Sequence, residues 1–157
     1  DAVRAIAAAV PGAARAAGES ARSARAALAG SPAPRTTVHG DFSTDQVLVC
    51  PDELRLLDLD RATVDDPAVD LASWFAAEVV AERAPADAEP REVLAPLLDG
   101  FPAATRAPLL RRLDHHAAVA LLKRAVEPFR THADDWPTFV DAYVRAAHRL
   151  AERTPRS

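Results

Sequence analysis

The chain has 157 residues, enough for one domain. Its net charge of −4 argues against general affinity for nucleic acid, and its single cysteine, Cys50, excludes a disulfide within the chain. The sequence lacks both a signal-peptide pattern and a run of about 18 apolar residues, so we expect a cytoplasmic protein without a membrane partner.

Residues 1–35 are rich in alanine and are predicted to be helical. Val3, Ile6 and Val10 recur at a spacing that places them on one face of a helix. Pro11 and Gly12 interrupt this pattern, and therefore we expect two leading helices rather than one.

Residues 36–60 contain the pattern of a small β-hairpin. Two short apolar runs, 47–49 and 54–57, flank the polar break Pro51-Asp52-Glu53. Because a hairpin returns its two ends to the same edge, we expect residues just before the first run to lie close to residues just after the second. Asp41 and Gln46 stand at the entrance and Asp58 at the exit.

These three residues suit phosphoryl transfer. The reaction needs a carboxylate that accepts the proton of the attacking hydroxyl, and a second carboxylate with an amide oxygen that hold Mg²⁺. We predict that Asp41 is the base and that Gln46 and Asp58 are the metal ligands. Taken singly, Asp41 is better explained as a turn or cap residue, Gln46 as a solvated strand start and Asp58 as a strand-end cap.

The order of these residues is that of the protein-kinase catalytic loop and metal motif. With Gly40 between His39 and Asp41, the stretch resembles the aminoglycoside phosphotransferase and choline kinase superfamily, whose catalytic loop has the pattern HGDxxxxN. The segment Asp66–Ala72, DPAVDLA, matches the DPxxDLA signature of that superfamily. Gln46 stands where most members have asparagine, although relatives resembling maltose kinases carry glutamine there.

The resemblance implies the C-terminal lobe of a protein-kinase-like fold, mainly α with one small β-hairpin (α+β). It also implies Mg²⁺ and ATP or GTP as cofactors, and a small-molecule acceptor whose hydroxyl group is phosphorylated. An aminoglycoside, an amino alcohol and a sugar are all compatible with it.

The resemblance further assigns supporting roles around the base. His39 is expected to shape the loop through a structural hydrogen bond, and Asp70 to brace the loop backbone from a helix. Gly40 allows a turn that a side chain would obstruct.

Two further acidic residues follow the hairpin. Asp66 is predicted to cap the next helix, with Pro67 at the first helical position. Asp60 would point the same way as Asp58 in an extended chain, and we expect it to pair with Arg61 rather than to contact the metal or the acceptor.

Residues 61–157 are predicted to form a helical subdomain, with helices near 67–83, 89–98 and 105–126 and a last helix after Asp134-Asp135. The resemblance implies that acidic residues of this part line the acceptor pocket. Glu127, Asp134 and Asp135 are the candidates, although helix capping explains the two aspartates equally well.

The chain contains no methionine, no glycine-rich loop and only one lysine, Lys123, which follows the catalytic loop. We therefore expect a separate N-terminal nucleotide lobe of the same protein, and no activity from these residues alone. An impaired pseudokinase or a helical binding module is the alternative, favoured by Gln46. An ordinary helical interaction domain would not bring Asp41 and Asp58 together.

Overall fold

The computed structural model describes residues 2–30 and 34–154. Within them the chain is mainly helical, with two small antiparallel sheets. The helices are α1 (Ala2–Ala9), α2 (Ala14–Ala29), α3 (Ala68–Val80), α4 (Pro90–Val93), α5 (Ala95–Asp99), α6 (Ala103–Arg124), α7 (Glu127–Arg130) and α8 (Trp136–Ala151). The strands are β1 (Thr36–Val38), β2 (Val47–Val49), β3 (Leu54–Leu56) and β4 (Thr63–Asp65). None of the helices in these residues is long and apolar enough to span a membrane.

Helix α6 is the centre of the fold and packs against α2, α3 and α8. Its fully buried residues Leu113, Ala117 and Leu121 follow one another at intervals of four, which places them on one face of the helix. Fully buried alanines on the neighbouring helices, such as Ala17 and Ala147, allow close packing. The C-terminal end of α6 is therefore held firmly in the core.

The leading segment has the predicted break. Helix α1 ends at Ala9, a short 3₁₀ turn covers Pro11–Ala13, and α2 begins at Ala14. Asp1 and residues 31–33 of this segment lie outside the part of the chain that the structure describes.

The predicted hairpin is present, but a second sheet accompanies it. In the hairpin, β2 pairs with β3, and Val47 lies opposite Leu56. In the second sheet, β1 pairs with β4, and Val38 lies opposite Thr63. The expectation of a single hairpin, followed by helices from residue 61 onwards, was therefore wrong for β4. A three-residue strand is too short to show an alternating pattern, and its pairing with β1 is a long-range contact.

The predicted helix at 89–98 is divided into α4 and α5. Leu94 lies between them with φ −93° and ψ 2°, outside the helical region, and Pro96 stands in the first turn of α5. The predicted helix at 105–126 runs from Ala103 to Arg124 and includes Pro108.

Candidate active site

The segment before Asp41 is anchored to α3 by the carboxylate of Asp70. The backbone N–H of His39 donates to Asp70 Oδ2 at 2.7 Å, and that of Gly40 donates to Asp70 Oδ1 at 2.9 Å. Hydrogen bonds to a carboxylate are short and strong. The backbone that presents Asp41 is thus fixed to the first turns of a core helix.

Gly40 has a φ of +83°, which residues with a side chain rarely adopt. A Cβ atom at this position would lie 2.4 Å from the backbone oxygen of Arg61. The close approach of these two backbone segments therefore requires glycine.

Ring contacts hold the same loop at a second point on α3. The ring centroid of Phe42 lies 4.9 Å from that of Trp74 and 5.8 Å from that of His39. Trp74 follows Asp70 by four residues, and so both project from the same face of α3. One face of α3 therefore positions the loop twice, through the loop backbone at Asp70 and through the Phe42 side chain at Trp74.

The hairpin ends and the loop are joined by hydrogen bonds. Leu57 N donates to Gln46 O at 2.9 Å, and the buried ring of His39 donates from Nε2 to Leu57 O at 2.8 Å. Leu57, which immediately precedes Asp58, is thus hydrogen-bonded both to Gln46 and to His39. His39 in turn lies two residues before Asp41. The three candidate residues lie on segments that contact one another directly.

The chain turns sharply at Asp58, which has φ 54° and ψ 61°, and a 3₁₀ turn follows over Leu59–Arg61. The expectation that Asp58 and Asp60 share one side of an extended chain was therefore wrong. The expected ion pair between Asp60 and Arg61 is not formed in the described part of the chain, since neighbouring side chains in such a turn point apart. Instead, Arg61 Nη1 lies 3.7 Å from Asp41 Oδ2.

Gln46 and Asp58 have the oxygen donors that a Mg²⁺ site requires. Among residues 2–30 and 34–154, neither side chain forms a hydrogen bond or ion pair, and the side chain of Asp58 is exposed. These same residues contain no group of three His, Cys, Asp or Glu side chains placed to hold a metal. A Mg²⁺ ion usually takes only one or two protein ligands alongside phosphates and water, so the residues present fit such an ion.

The turn that carries Gln46 is tied to the end of α3. Arg83 Nη2 donates to Thr44 Oγ1 at 2.6 Å, and Thr44 Oγ1 donates to Glu78 Oε1 at 3.2 Å. Hydrogen bonding by the Arg83 guanidinium lowers the pKa of Glu78. This contact has no local signal in the sequence, because Arg83 lies 39 residues from Thr44.

Asp41 lines a cleft of about 460 Å³ between the loop and the end of α6. Arg124 Nη2 donates to Asp41 Oδ1 at 2.8 Å, and Arg124 Nη1 donates to Glu127 Oε1 at 3.1 Å. Glu127 therefore belongs to the same cleft as Asp41. The other side chains around the cleft are those of Ala2, Ala5, Arg61, Val69, Ser73, His116, Val119, Ala120, Lys123, Val126 and Arg130.

Asp134 and Asp135 do not line this cleft. Asp135 immediately precedes α8, and its Oδ1 accepts a hydrogen bond from the hydroxyl of Thr138 at 3.0 Å. The structure therefore associates Asp135 with the start of a helix and Glu127 with the cleft.

Asp66 is the most deeply buried carboxylate of the region, with 2% of its surface exposed. Its Oδ1 accepts from Ala68 N at 2.9 Å, as expected of a helix cap, while Oδ2 accepts from His116 Nε2 at 2.9 Å and from Arg112 Nε. Burial raises the pKa of Asp66, but the hydrogen bonds from His116, Arg112 and Ala68 outweigh it and lower the pKa to about 2. This cluster fastens the start of α3 to the middle of α6, the two helices that flank the cleft.

A family model described as the phosphotransferase enzyme family matches residues 2–103. The matched range includes the loop, both sheets and α3, and it ends at the first residue of α6. Searches of curated proteins and of solved structures found no match.

Proposed function

The chain belongs to the phosphotransferase enzyme family, and on this premise we propose that it forms the C-terminal lobe of a kinase-like enzyme. The proposed reaction is transfer of the γ-phosphoryl group of ATP or GTP to a hydroxyl group of a small molecule. The observation that carries the proposal is the anchoring of the Asp41 loop, through Asp70 to α3 and through His39 to the end of the hairpin. Such anchoring holds a base and a metal-binding edge in one place before substrates arrive.

Asp41 is the proposed base. Its Oδ1 accepts a hydrogen bond from Arg124. Its Oδ2 accepts no hydrogen bond from the described residues and forms only a long ion pair with Arg61, at 3.7 Å. Oδ2 is therefore the oxygen that takes the proton of the acceptor hydroxyl. The bond from Arg124 fixes the carboxylate plane, so that Oδ2 is directed at a defined point in the cleft.

Gln46 and Asp58 are the residues that would hold Mg²⁺ through their side-chain oxygens. The bound ion would neutralise charge on the phosphates of the nucleotide. The protein contributes by fixing the two ligands, one through the Thr44 tether and the other through the bond between His39 and Leu57.

The groups that cover the nucleotide come, in this proposal, from a lobe outside these 157 residues. One apolar face of the hairpin supports it, since Val49 and Leu54 lie opposite each other and are 75% and 71% exposed, and Leu56 on the same face is also exposed. Contiguous exposed apolar surface is typical of a face that another domain or a ligand covers. On its own, this chain should bind nucleotide weakly and should not turn it over.

The experiment is a phosphotransfer assay on the full-length protein with ATP or GTP, Mg²⁺ and a panel of hydroxyl compounds. Asp41→Asn keeps the shape of the side chain but removes the proton acceptor, and we expect turnover to fall by roughly 10²–10⁴ while nucleotide still binds. Asp52→Asn, the same change at an exposed aspartate in the hairpin turn, is the matched control and should leave turnover unchanged.

Full turnover by Asp41→Asn would refute the assignment of the base. If the unmodified enzyme binds nucleotide but turns over no acceptor in the panel, a pseudokinase is favoured.

A further inference from the structure

We propose that the acceptor carries an anionic group, a carboxylate or a phosphate, which binds Lys123 and Arg130 in the cleft beside Asp41. The inference rests on the proposed function, and it names the substrate class of that same site. The net charge of the whole chain, −4, would by itself be compatible with a cationic acceptor instead.

The cleft has an excess of positive charge. Among residues 2–30 and 34–154, four cations line it, those of Arg61, Lys123, Arg124 and Arg130, and two carboxylates do, those of Asp41 and Glu127. The charge of the cleft is therefore opposite in sign to the charge of the chain, and a ligand responds to the charges nearest to it.

The two carboxylates are already paired, and two of the cations are not. Arg124 bonds both Asp41 and Glu127. In the described part of the chain, neither Lys123 nor Arg130 forms an ion pair with a carboxylate, and both are exposed. These two cations are thus available to a ligand.

The position of these two cations indicates that they bind the acceptor rather than the nucleotide. Lys123 precedes Arg124 at the end of α6, and Arg130 ends α7, so both lie on the helical wall of the cleft. Asp41 lines this cleft, but Gln46 and Asp58 do not. The phosphates of the nucleotide belong with the metal ligands, which do not line this cleft, and we therefore assign the cleft to the molecule that Asp41 deprotonates.

An anion in this cleft would gain charge-assisted hydrogen bonds from an ammonium and a guanidinium group. An aminoglycoside or an amino alcohol would place an ammonium group next to the same two cations and would be repelled. We therefore expect discrimination by charge among acceptors of similar size.

The test uses four three-carbon probes that differ in charge: glycerol, glycerate, glycerol 3-phosphate and 3-amino-1,2-propanediol. Each is titrated into the ¹⁵N-labelled full-length protein, and its Kd is measured from amide chemical shifts. We expect the two anions to bind at least about tenfold more tightly than glycerol, with weaker binding at higher salt, and the amine not to bind. Comparing glycerate with glycerol 3-phosphate distinguishes a carboxylate from a phosphate.

Substitutions locate the site. Lys123→Gln and Arg130→Gln should each weaken anion binding by roughly fivefold, the value of one exposed charge pair. Arg111→Gln removes an exposed charge from the same helix outside the cleft, and it should change nothing. Equal Kd values for glycerol and the anions, or equal effects of Arg111→Gln and Lys123→Gln, would overturn the inference.

The phosphotransfer assay on the full-length protein separates this inference from the function on which it rests. Turnover of glycerol or of the amine in preference to both anions would overturn the acceptor class and leave the phosphotransferase function intact. Anion binding at Lys123 and Arg130 without turnover of any acceptor would count against the function and would leave the anion site standing.

Discussion

Asp66→Asn tests the buried cluster that joins α3 to α6. The substitution removes the charge that Arg112 and His116 contact while keeping the shape of the side chain. Arg112 is itself buried, with 8% of its side chain exposed, and it would retain a hydrogen bond to Leu28 O at 3.1 Å. A buried cation without its anion is costly, and we expect the free energy of unfolding to fall at neutral pH.

The magnitude follows from the pKa of Asp66. Its fall from 3.8 to about 2 corresponds to roughly 2 kcal/mol of stabilisation of the ionised form. Because the pKa is lower in the folded state, this contribution is complete above about pH 4 and is lost as the pH falls through about 2. The difference between the unmodified protein and Asp66→Asn should therefore be about 2 kcal/mol at pH 7 and should shrink below pH 4.

Urea denaturation followed by the fluorescence of Trp74 and Trp136 measures this difference at a series of pH values. Asp52→Asn, in the exposed hairpin turn, is the control and should unfold like the unmodified protein at each pH. A difference that stays constant from pH 7 to below pH 3 would show that the ionised form of Asp66 is not what stabilises the fold. Unchanged stability at pH 7 would refute the ion pair with Arg112.

Three further substitutions test the loop and the proposed metal ligands. Gly40→Ala should destabilise the chain by about 2 kcal/mol and abolish turnover, because the added Cβ would meet the backbone of Arg61 rather than a movable side chain. Urea denaturation measures the loss of stability, and the phosphotransfer assay measures the loss of turnover. In the full-length enzyme, Asp58→Asn should raise the Mg²⁺ concentration needed for half-maximal turnover, whereas Asp52→Asn should not. Gln46→Asn should have a smaller effect than Asp58→Asn, since it keeps an amide oxygen. Steady-state kinetics with titrated Mg²⁺ measures both effects. A larger effect of Gln46→Asn than of Asp58→Asn would contradict these roles.

The helices were predictable because their signals are local. The spacing of Ile6 and Val10, and the break at Pro11, indicated two leading helices, and the four-residue intervals around Leu113 indicated α6. The hairpin was predictable for the same reason, since two apolar runs and a polar turn lie within ten residues of one another.

The cleft was not predictable, because the contacts that form it are distant in sequence. Arg124 lies 83 residues from Asp41, and Arg112 lies 46 residues from Asp66. A basic residue near the end of a helix is commonplace, and nothing in the pattern of α6 distinguishes Arg124 from Arg111. The brace from Asp70 was anticipated through the family resemblance rather than through its spacing.

The pairing of β1 with β4 has a consequence for engineering. It holds the two ends of the segment 39–62 together, and the exposed turn at Pro51–Glu53 lies within that segment. The entropic cost of lengthening a loop whose ends are already clasped grows only slowly with its length. A reporter group can consequently be inserted in that turn without altering the residues that would carry out the chemistry.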